Sequence, residues 1–243
     1  MAKLTRRQKL QTKQAAQFIK DGIPERKYFD NKKLFARNYT QEDALDSLRK
    51  NTLTILTGPP GTAKTLLSIY VAVELLEDRE IDKIYYVKPI VDVVGEQGLG
   101  FLPGDVKDKI RPHISPVKDA LGVFMPPTKA EYLLDKKIIE FLPIEHLRGR
   151  SLNNCFVIAD EMQNAIPASV LTILTRLGSN SKASLIGDSV QRDLSAKFGH
   201  DGLTDATSRL KGLDDVGVIN FTADDICRSG FVRSVIYRYS DLY

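Results

Sequence analysis

Two short segments of this 243-residue sequence carry side chains that could bind and cleave a phosphate anhydride. The first is a turn between a strand pattern and a helix pattern, and it reads Gly58-Pro59-Pro60-Gly61-Thr62-Ala63-Lys64-Thr65. Backbone N–H groups of such a turn, together with the helix N-terminus, form a cradle for phosphate oxygens. We expect Lys64 to reach the β- and γ-phosphates of a nucleotide and the Thr65 hydroxyl to bind Mg²⁺.

One position departs from the strict phosphate-binding pattern, which has glycine where this chain has Ala63. Alanine fits without strain where the backbone angle φ is negative, so we expect a negative φ and a tolerated substitution. An ordinary Gly-Pro turn is the alternative interpretation. The strand before the turn and the helix after it favour the phosphate-binding one.

The second segment is an apolar strand pattern, Cys155–Ala159, that ends in Asp160 and Glu161. Open α/β sheets bind ligands at the carboxyl ends of their strands. We expect Asp160 to hold the hydration shell of Mg²⁺ and Glu161 to orient and deprotonate the attacking water. An acid pair alone often caps a helix, but 95 residues separate Thr65 from Asp160, a spacing that favours a shared nucleotide site.

Three weaker patterns add candidate residues. A third strand pattern ends near Asp188 and Gln191, either of which could sense the γ-phosphate. Gln41 lies 17 residues before Gly58, and its amide could pair with both edges of adenine. Arg228 and Arg233 lie around the start of the last helix pattern, where a guanidinium could stabilise the transition state. The alternatives are an ordinary turn at Asp188 and Gln191 and a plain helix N-terminus at Gln41. For Arg228 and Arg233 the alternative is a pair of surface arginines.

These residues need a parallel sheet to bring them together, and the sequence pattern supplies one. Strand patterns alternate with helix patterns, which predicts an α/β fold with helices on both faces of a mostly parallel sheet. The predicted helices are residues 40–50 (N-cap Thr40), 64–77, 167–177 and 230–239, and the predicted strands are residues 52–56, 83–87, 138–142, 155–159, 183–186 and 216–221. Residues 90–135, richer in Gly and Pro, are predicted to be an insertion before the strand that carries the acids.

Composition and charge exclude several classes of protein. An apolar content of 42% and a charged content of 27% are typical of a globular protein. The longest apolar runs are too short for a membrane span, and no secretory signal is visible, so we expect a cytoplasmic protein. Residues 1–50 carry 13 Lys/Arg and 6 Asp/Glu, whereas the other 193 carry 22 and 25. Residues 1–35 are therefore predicted to be a basic arm, which either attracts polyanions or is simply solvated.

With these elements in order, residues 36–240 resemble the PhoH-like family, P-loop ATPases related to superfamily 1 helicases. The resemblance extends to Gly98–Asp105 and to Leu147–Asn153 with the following Phe-Val-Ile-Ala-Asp-Glu-x-Gln-Asn block. It implies a RecA-like fold over residues 36–243 and ATP and Mg²⁺ as ligands. It also implies that Lys64, Thr65, Asp160, Glu161 and Gln191 are nucleotide-site residues. Arg228 and Arg233 are implied to be candidate arginine fingers that could act on a neighbouring subunit. No nuclease domain is implied.

The function expected from these observations is ATP hydrolysis coupled to translocation on, or remodelling of, single-stranded nucleic acid, RNA rather than DNA. Basic and aromatic residues in and beside the predicted insertion could contact that strand: Lys88, Phe101, Lys107, Lys109, Arg111, His113 and Phe124. They could equally be surface charge and local core. One motor core in the chain suggests a homo-oligomer, a hexameric ring. Two alternatives stay open: an AAA+ ATPase that remodels proteins, although few residues follow the last strand for a helical lid, and a nucleotide-dependent switch without nucleic acid.

Overall fold

The fold is built on a six-stranded sheet in which every pair of neighbouring strands is parallel. The structure is a computed structural model and describes residues 28–29, 34–89, 106–188 and 201–238. The helices are α1 (Tyr39–Lys50), α2 (Lys64–Glu77), α3 (Val106–Phe124), α4 (Pro127–Asp135), α5 (Pro167–Leu174), α6 (Gly202–Leu210) and α7 (Gly230–Arg238). The strands are β1 (Leu53–Thr57), β2 (Lys83–Lys88), β3 (Ile139–Pro143), β4 (Cys155–Ala159), β5 (Lys182–Gly187) and β6 (Val216–Asn220). Short 3₁₀ turns cover Ile144–Leu147, Met162–Asn164 and Ala223–Asp225.

The strand order β3-β2-β4-β5-β1-β6 determines where the chemistry can lie. The phosphate-binding turn follows β1, the acid pair follows β4, and β5 lies between these two strands. Because all strands are parallel, the three carboxyl ends meet at one edge of the sheet. This is the arrangement of a RecA-like P-loop NTPase, and it confirms the predicted fold class.

Two apolar clusters cover the two faces of the sheet. Within β4, Phe156 and Ile158 belong to the cluster under α1–α4, whereas Cys155, Val157 and Ala159 belong to the cluster under α5 and α6. All five residues are buried, as expected for a parallel strand with helices on both sides. The sheet edge that carries the acids is therefore held by a core on each side.

All predicted strands and helices are present and differ from the prediction only at their ends, whereas helix α6 was not predicted. The N-cap of α1 is Asn38 rather than Thr40, and the Asn38 side chain accepts from the backbone N–H of Gln41. Helix α5 ends at Leu174 rather than at residue 177, because Leu177 pairs with Leu152 in an isolated parallel bridge. Such a long-range pairing is not visible in a local helix pattern.

The chain between β2 and β4 contains α3, α4 and β3, so the predicted insertion is present in its described part. Its helices pack on the core rather than standing away from it. Phe124 at the end of α3 is 1% exposed and lies edge-on to Tyr70 of α2, with ring centroids 5.4 Å apart. Phe29, from the segment predicted as a basic arm, lies 4.9 Å from Tyr70 and 5.4 Å from Phe124. Phe124 is therefore part of the local core, one of the two alternatives for this residue, and its enclosed ring is not open for stacking on bases.

Among the described helices, none is both long enough and apolar enough to cross a lipid bilayer.

A candidate nucleotide site at the carboxyl edge of the sheet

The turn after β1 requires glycine at its first position. Gly58 has φ of 132°, and a Cβ atom there would lie 2.3 Å from the backbone oxygen of Phe221, which follows β6. The chain therefore reverses tightly against the neighbouring strand before it enters α2. This brings the turn and the N-terminus of α2 to the same point, as a phosphate cradle needs.

Ala63 adopts a left-handed conformation, with φ of 71° and ψ of 17°. The expectation of a negative φ at this position is wrong. The chain has to change direction between the turn and the start of α2, with its backbone facing the cavity. The left-handed conformation of Ala63 produces this change of direction. An alanine in this region is strained by about 1–2 kcal/mol relative to the right-handed region, so Ala63 is a strained substitution rather than a neutral one.

Lys64 is the first residue of α2, and its ammonium lies inside the turn. Nζ donates to the backbone oxygens of Gly58 (2.7 Å) and Pro59 (2.8 Å) and to Oγ1 of Thr62 (3.2 Å). Burial lowers the pKa of Lys64 to about 8, although the carboxylates of Asp188 and Asp160 act in the opposite direction. A cation held in a desolvated turn is suited to receive phosphate charge.

Asp160 follows β4 and is held by two hydroxyl groups. Thr65 Oγ1 donates to its Oδ2 at 3.0 Å, and the buried Tyr86 hydroxyl donates to the same oxygen at 2.8 Å. Burial and the neighbouring Glu161 carboxylate raise the pKa of Asp160. Burial, with the charge of Asp160, also raises the pKa of Tyr86, so this hydroxyl stays protonated as a donor.

The Asp160 and Thr65 side chains offer hard oxygen ligands of the kind that Mg²⁺ takes. Within the described residues, no group of three or more His, Cys, Asp or Glu side chains could hold a metal by itself. Mg²⁺ usually keeps several waters and binds through one or two protein oxygens together with substrate phosphates. The residues present therefore fit Mg²⁺ delivered with a nucleotide.

Glu161 projects from a strained backbone position next to Asp160. Its φ is 59° and its ψ is 36°, in the left-handed region. Oε2 of its carboxylate accepts from Nε2 of Gln163 at 2.6 Å, and Nζ of Lys88 lies 3.8 Å from Oε1. A non-glycine residue kept in this conformation is common at active sites, where the surrounding structure fixes it.

Gln41 contacts the back of the phosphate-binding turn. Its Nε2 donates to the backbone oxygen of Thr62 (3.3 Å) and to Sγ of Cys227 (3.0 Å), while its Oε1 accepts from the backbone N–H of Arg37 (3.0 Å). The side chain is 3% exposed. Both ends of the amide thus bond to protein groups, and the structure shows no open pair of edges for adenine at this residue.

The two candidate arginines differ in position. A Cβ on Gly61 would lie 2.8 Å from Cγ of Arg228, so the Arg228 side chain crosses the phosphate-binding turn of its own chain. The adjacent Cys227 fixes this crossing, because its backbone N–H donates to the backbone oxygen of Gly61 at 2.9 Å. Arg233 instead donates from Nη2 to the backbone oxygen of Ile226 at 2.8 Å.

A cavity of about 720 Å³ lies between these groups. The predicted site residues that line it are Gln41, Pro60, Gly61, Ala63, Lys64, Thr65, Asp160, Glu161, Asp188 and Arg228. Gly58, Pro59 and Thr62 do not line it and instead shape the turn, and Arg233 lies outside it. Gln191 is outside the described residues.

Among the cavity residues that the sequence does not predict as parts of the nucleotide site, three lie next to Asp160 or Glu161: Tyr86, Lys88 and Gln163. Tyr86 lies in a strand pattern, where an aromatic residue signals only burial. Lys88 was expected to contact nucleic acid. Gln163 lies within the quoted Asp-Glu-x-Gln-Asn block, so its position two residues after Glu161 was a signal that could have indicated it.

The comparisons with known proteins agree with this geometry. Residues 33–240 match the sequence model of a family described as PhoH-like protein. The chain is 38% identical over 208 residues to a PhoH-like protein of Bacillus subtilis, with 86% of this chain and 64% of that protein aligned. It is 34% identical over 213 residues to Protein PhoH of Escherichia coli K12, with 87% and 59% aligned. The chain thus spans less than two thirds of the length of these relatives.

Among solved structures, the fold is similar to the large terminase of a thermophilic bacteriophage, determined in complex with ADP. The TM-score is 0.50 and the sequence identity is 15%, over 86% of this chain and 50% of the terminase. At this identity the likeness concerns the fold. It supports the assignment of the parallel sheet and its flanking helices.

Proposed function

Because this chain belongs to the PhoH-like family and has a P-loop NTPase fold, we propose that it binds ATP with Mg²⁺ and hydrolyses it. The observation that carries the proposal is the convergence of Lys64, Thr65, Asp160 and Glu161 on one cavity. These residues come from two segments far apart in sequence. The cation, the hydroxyl and the two carboxylates are the groups that phosphoryl transfer to water requires.

The contacts support one role for each residue. Lys64 binds the β- and γ-phosphate oxygens, and Thr65 and Asp160 hold Mg²⁺. When bound, the metal ion neutralises charge on the phosphates. Glu161 accepts a proton from water as the water oxygen attacks the γ-phosphorus. The bond from that phosphorus to the bridging oxygen breaks, and ADP and phosphate leave.

Arg228 is proposed to assist in its own chain rather than on a neighbouring subunit, because its side chain already lies over the turn that would hold the phosphates. Arg233 is proposed to fix the segment that carries Arg228, through its bond to the Ile226 carbonyl. To bind adenine, the Gln41 amide would have to give up one of its hydrogen bonds to protein groups and form one with the base. Its proposed first role is therefore to brace the phosphate-binding turn.

Glu161→Gln tests the catalytic assignment. The substitution keeps the shape of the side chain, so ATP binding measured with a fluorescent analogue should be retained. Hydrolysis should fall by about 10²–10⁴-fold, because no base takes the proton from water. Turnover near that of the unaltered protein would exclude Glu161 as the base.

Coupling of hydrolysis to single-stranded nucleic acid, RNA rather than DNA, is the finer proposal. Its support is the excess of Lys and Arg in residues 1–50. Of the residues suggested for this contact, Phe124 is buried, the His113 ring stacks on Phe141 with centroids 5.4 Å apart, and Lys88 faces Glu161. Phe101 and the side chains of Lys107, Lys109 and Arg111 lie outside the described residues, so the support that remains is the basic N-terminal segment.

The test compares ATP hydrolysis alone with hydrolysis in the presence of single-stranded RNA, single-stranded DNA or duplex. Removal of residues 1–20 should weaken binding and flatten its salt dependence, by about 0.7 in log–log slope for each lost single-strand phosphate contact. Equal turnover with and without every nucleic acid would favour the nucleotide-dependent switch instead.

We also propose that the chain forms a homo-oligomer, a hexameric ring. Helix α7 has no buried residue, and its Phe231 is 77% exposed and its Val235 38% exposed. Exposed large apolar side chains on one helix are typical of a subunit contact. Phe231→Glu should lower the mass measured by light scattering if a second copy covers this helix; an unchanged mass would exclude α7 from the contact.

A further inference from the structure

Gln163 joins the ends of two strands through one side chain. Its Nε2 donates to Oε2 of Glu161 at 2.6 Å, and its Oε1 accepts from the backbone N–H of Asp188 at 3.1 Å. Glu161 follows β4 closely, and Asp188 follows β5 directly. The Gln163 side chain is 3% exposed, so its amide is shielded from water and depends on these two partners.

The fold leaves a fitted space for this amide. A Cβ atom on Gly187 would lie 2.3 Å from Oε1 of Gln163 and 2.8 Å from Cδ2 of Leu203. No larger residue at position 187 could be accommodated without moving the amide. The close approach of the β5 backbone therefore determines the position of Oε1, and with it the direction in which Nε2 points.

Glu161 depends on outside contacts for its orientation. Its left-handed backbone position lies beside the cavity that Glu161 lines, but the side chain is 41% exposed. Of its contacts, the Gln163 bond is short, while the Lys88 ammonium lies 3.8 Å away. The amide is neutral, so it orients the carboxylate without cancelling the negative charge that a base needs.

We propose that Gln163 is a positioning residue for hydrolysis, whose amide fixes the Glu161 carboxylate and ties it to the end of β5. This inference rests on the proposed role of Glu161 as the base. A base must lie within hydrogen-bond reach of the water that it deprotonates, and a displacement of about 1 Å can lower turnover about 10²-fold.

Gln163→Glu is the sharpest test. It keeps the shape of the side chain and an oxygen that accepts from the backbone N–H of Asp188, but it replaces the Nε2 donor to Glu161 by a carboxylate oxygen. The charged and titratable groups facing this pair within the described residues are Lys64, Tyr86, Lys88, Asp160 and Asp188. Two adjacent carboxylates share one proton at a raised pKa. When that proton is on residue 163, the variant again donates to Glu161, as the unaltered amide does.

The expected result is a kcat about 10-fold or more below that of the unaltered protein at about pH 8, with KM for ATP within about twofold. The ratio of the two kcat values should rise toward one as the pH is lowered to about 6. Asn164→Asp adds the same charge one residue further on and serves as the control. Its pH profile should run parallel to that of the unaltered protein.

Gln163→Met, which removes both bonds at similar size, covers the case in which Gln163→Glu does not fold. It should lower kcat at every pH while binding of a fluorescent ATP analogue is retained. Unchanged kcat in either folded variant, or loss of analogue binding equal to the loss of kcat, would overturn the inference. If Glu161→Gln still hydrolyses ATP, the proposed function itself fails; if Glu161→Gln is inactive and the Gln163 variants are normal, only the positioning role fails.

Discussion

The Thr65 hydroxyl donates a hydrogen bond of 3.0 Å to Asp160 and so joins two segments that lie 95 residues apart in sequence. Thr65 lies in the first turn of α2, which follows β1 and the candidate phosphate-binding turn. Asp160 follows β4, and β4 is two places from β1 in the sheet. Their contact exists because the parallel strands bring both segments to one edge. The same carboxylate oxygen accepts from Tyr86 on the next strand, so the groups around this edge depend on one another.

Tyr86→Phe should lower the free energy of unfolding by about 2 kcal/mol in the absence of nucleotide. The change removes a donor to a buried carboxylate, and hydrogen bonds to charged groups contribute about 1.5–3 kcal/mol. Denaturant unfolding at a pH where Asp160 is ionised measures the effect. Tyr85→Phe, on the neighbouring and more exposed residue, should stay within about 0.5 kcal/mol. Equal effects of the two changes would contradict the role assigned to the Tyr86 hydroxyl.

Ala63→Gly should raise the free energy of unfolding by up to about 1 kcal/mol while ATP hydrolysis is retained. Relief of left-handed strain contributes about 1–2 kcal/mol, and the larger chain entropy of glycine in the unfolded state offsets part of it. Ala63→Val should be destabilising, because a β-branched residue tolerates positive φ poorly. Arg79→Gly is a matched control, since Arg79 has φ of 62° away from the cavity. A loss of stability in Ala63→Gly would contradict the strain argument.

Affinity for ATP should fall as the pH rises above about 8, by up to tenfold for each pH unit. The pKa of Lys64 is lowered to about 8 by burial, and bound phosphates raise it, so binding at high pH requires the uptake of a proton. Below this pKa the ammonium is already charged and the dependence disappears. Calorimetry in two buffers of different ionisation enthalpy measures the proton uptake directly. In Lys64→Arg, whose side chain stays charged, affinity for ATP should not depend on pH in the same range. If the affinity of this variant falls with pH as steeply as that of the unaltered protein, another group causes the effect.

Arg228→Ala should bind ATP but hydrolyse it about 10³-fold more slowly, if the guanidinium acts on the transferred phosphoryl group. Arg233→Ala should have a smaller effect, because Arg233 bonds to the Ile226 carbonyl. Arg238→Ala, at the exposed end of α7, is the control. A mixture of Arg228→Ala with Glu161→Gln protein should remain inactive, because Arg228 lies over the turn of its own chain. Recovery of hydrolysis in the mixture would mean that the arginine acts on a neighbouring subunit.

The sequence alone indicated the fold class, the six strands in their order along the chain and the chemical groups of the candidate site. Helix α2 and strand β4 begin and end where their apolar patterns predict, because a strand buried on both faces and a helix after a tight turn have strong local signals. Lys64, Thr65, Asp160 and Glu161 were recognisable because each follows a strand or a turn at a known spacing.

Tertiary structure decided what no local pattern encodes. The left-handed conformation of Ala63 follows from how the turn meets α2 and the cavity, and the Tyr86 bond to Asp160 follows from the pairing of β2 with β4. The amide of Gln163 meets Asp188 only because β5 lies beside β4 and Gly187 leaves room for it. Arg228 lies over Gly61 because the chain after β6 crosses the turn that follows β1. Each of these contacts joins residues far apart in the chain, and strand order, which the sequence pattern does not specify, is what brings them together.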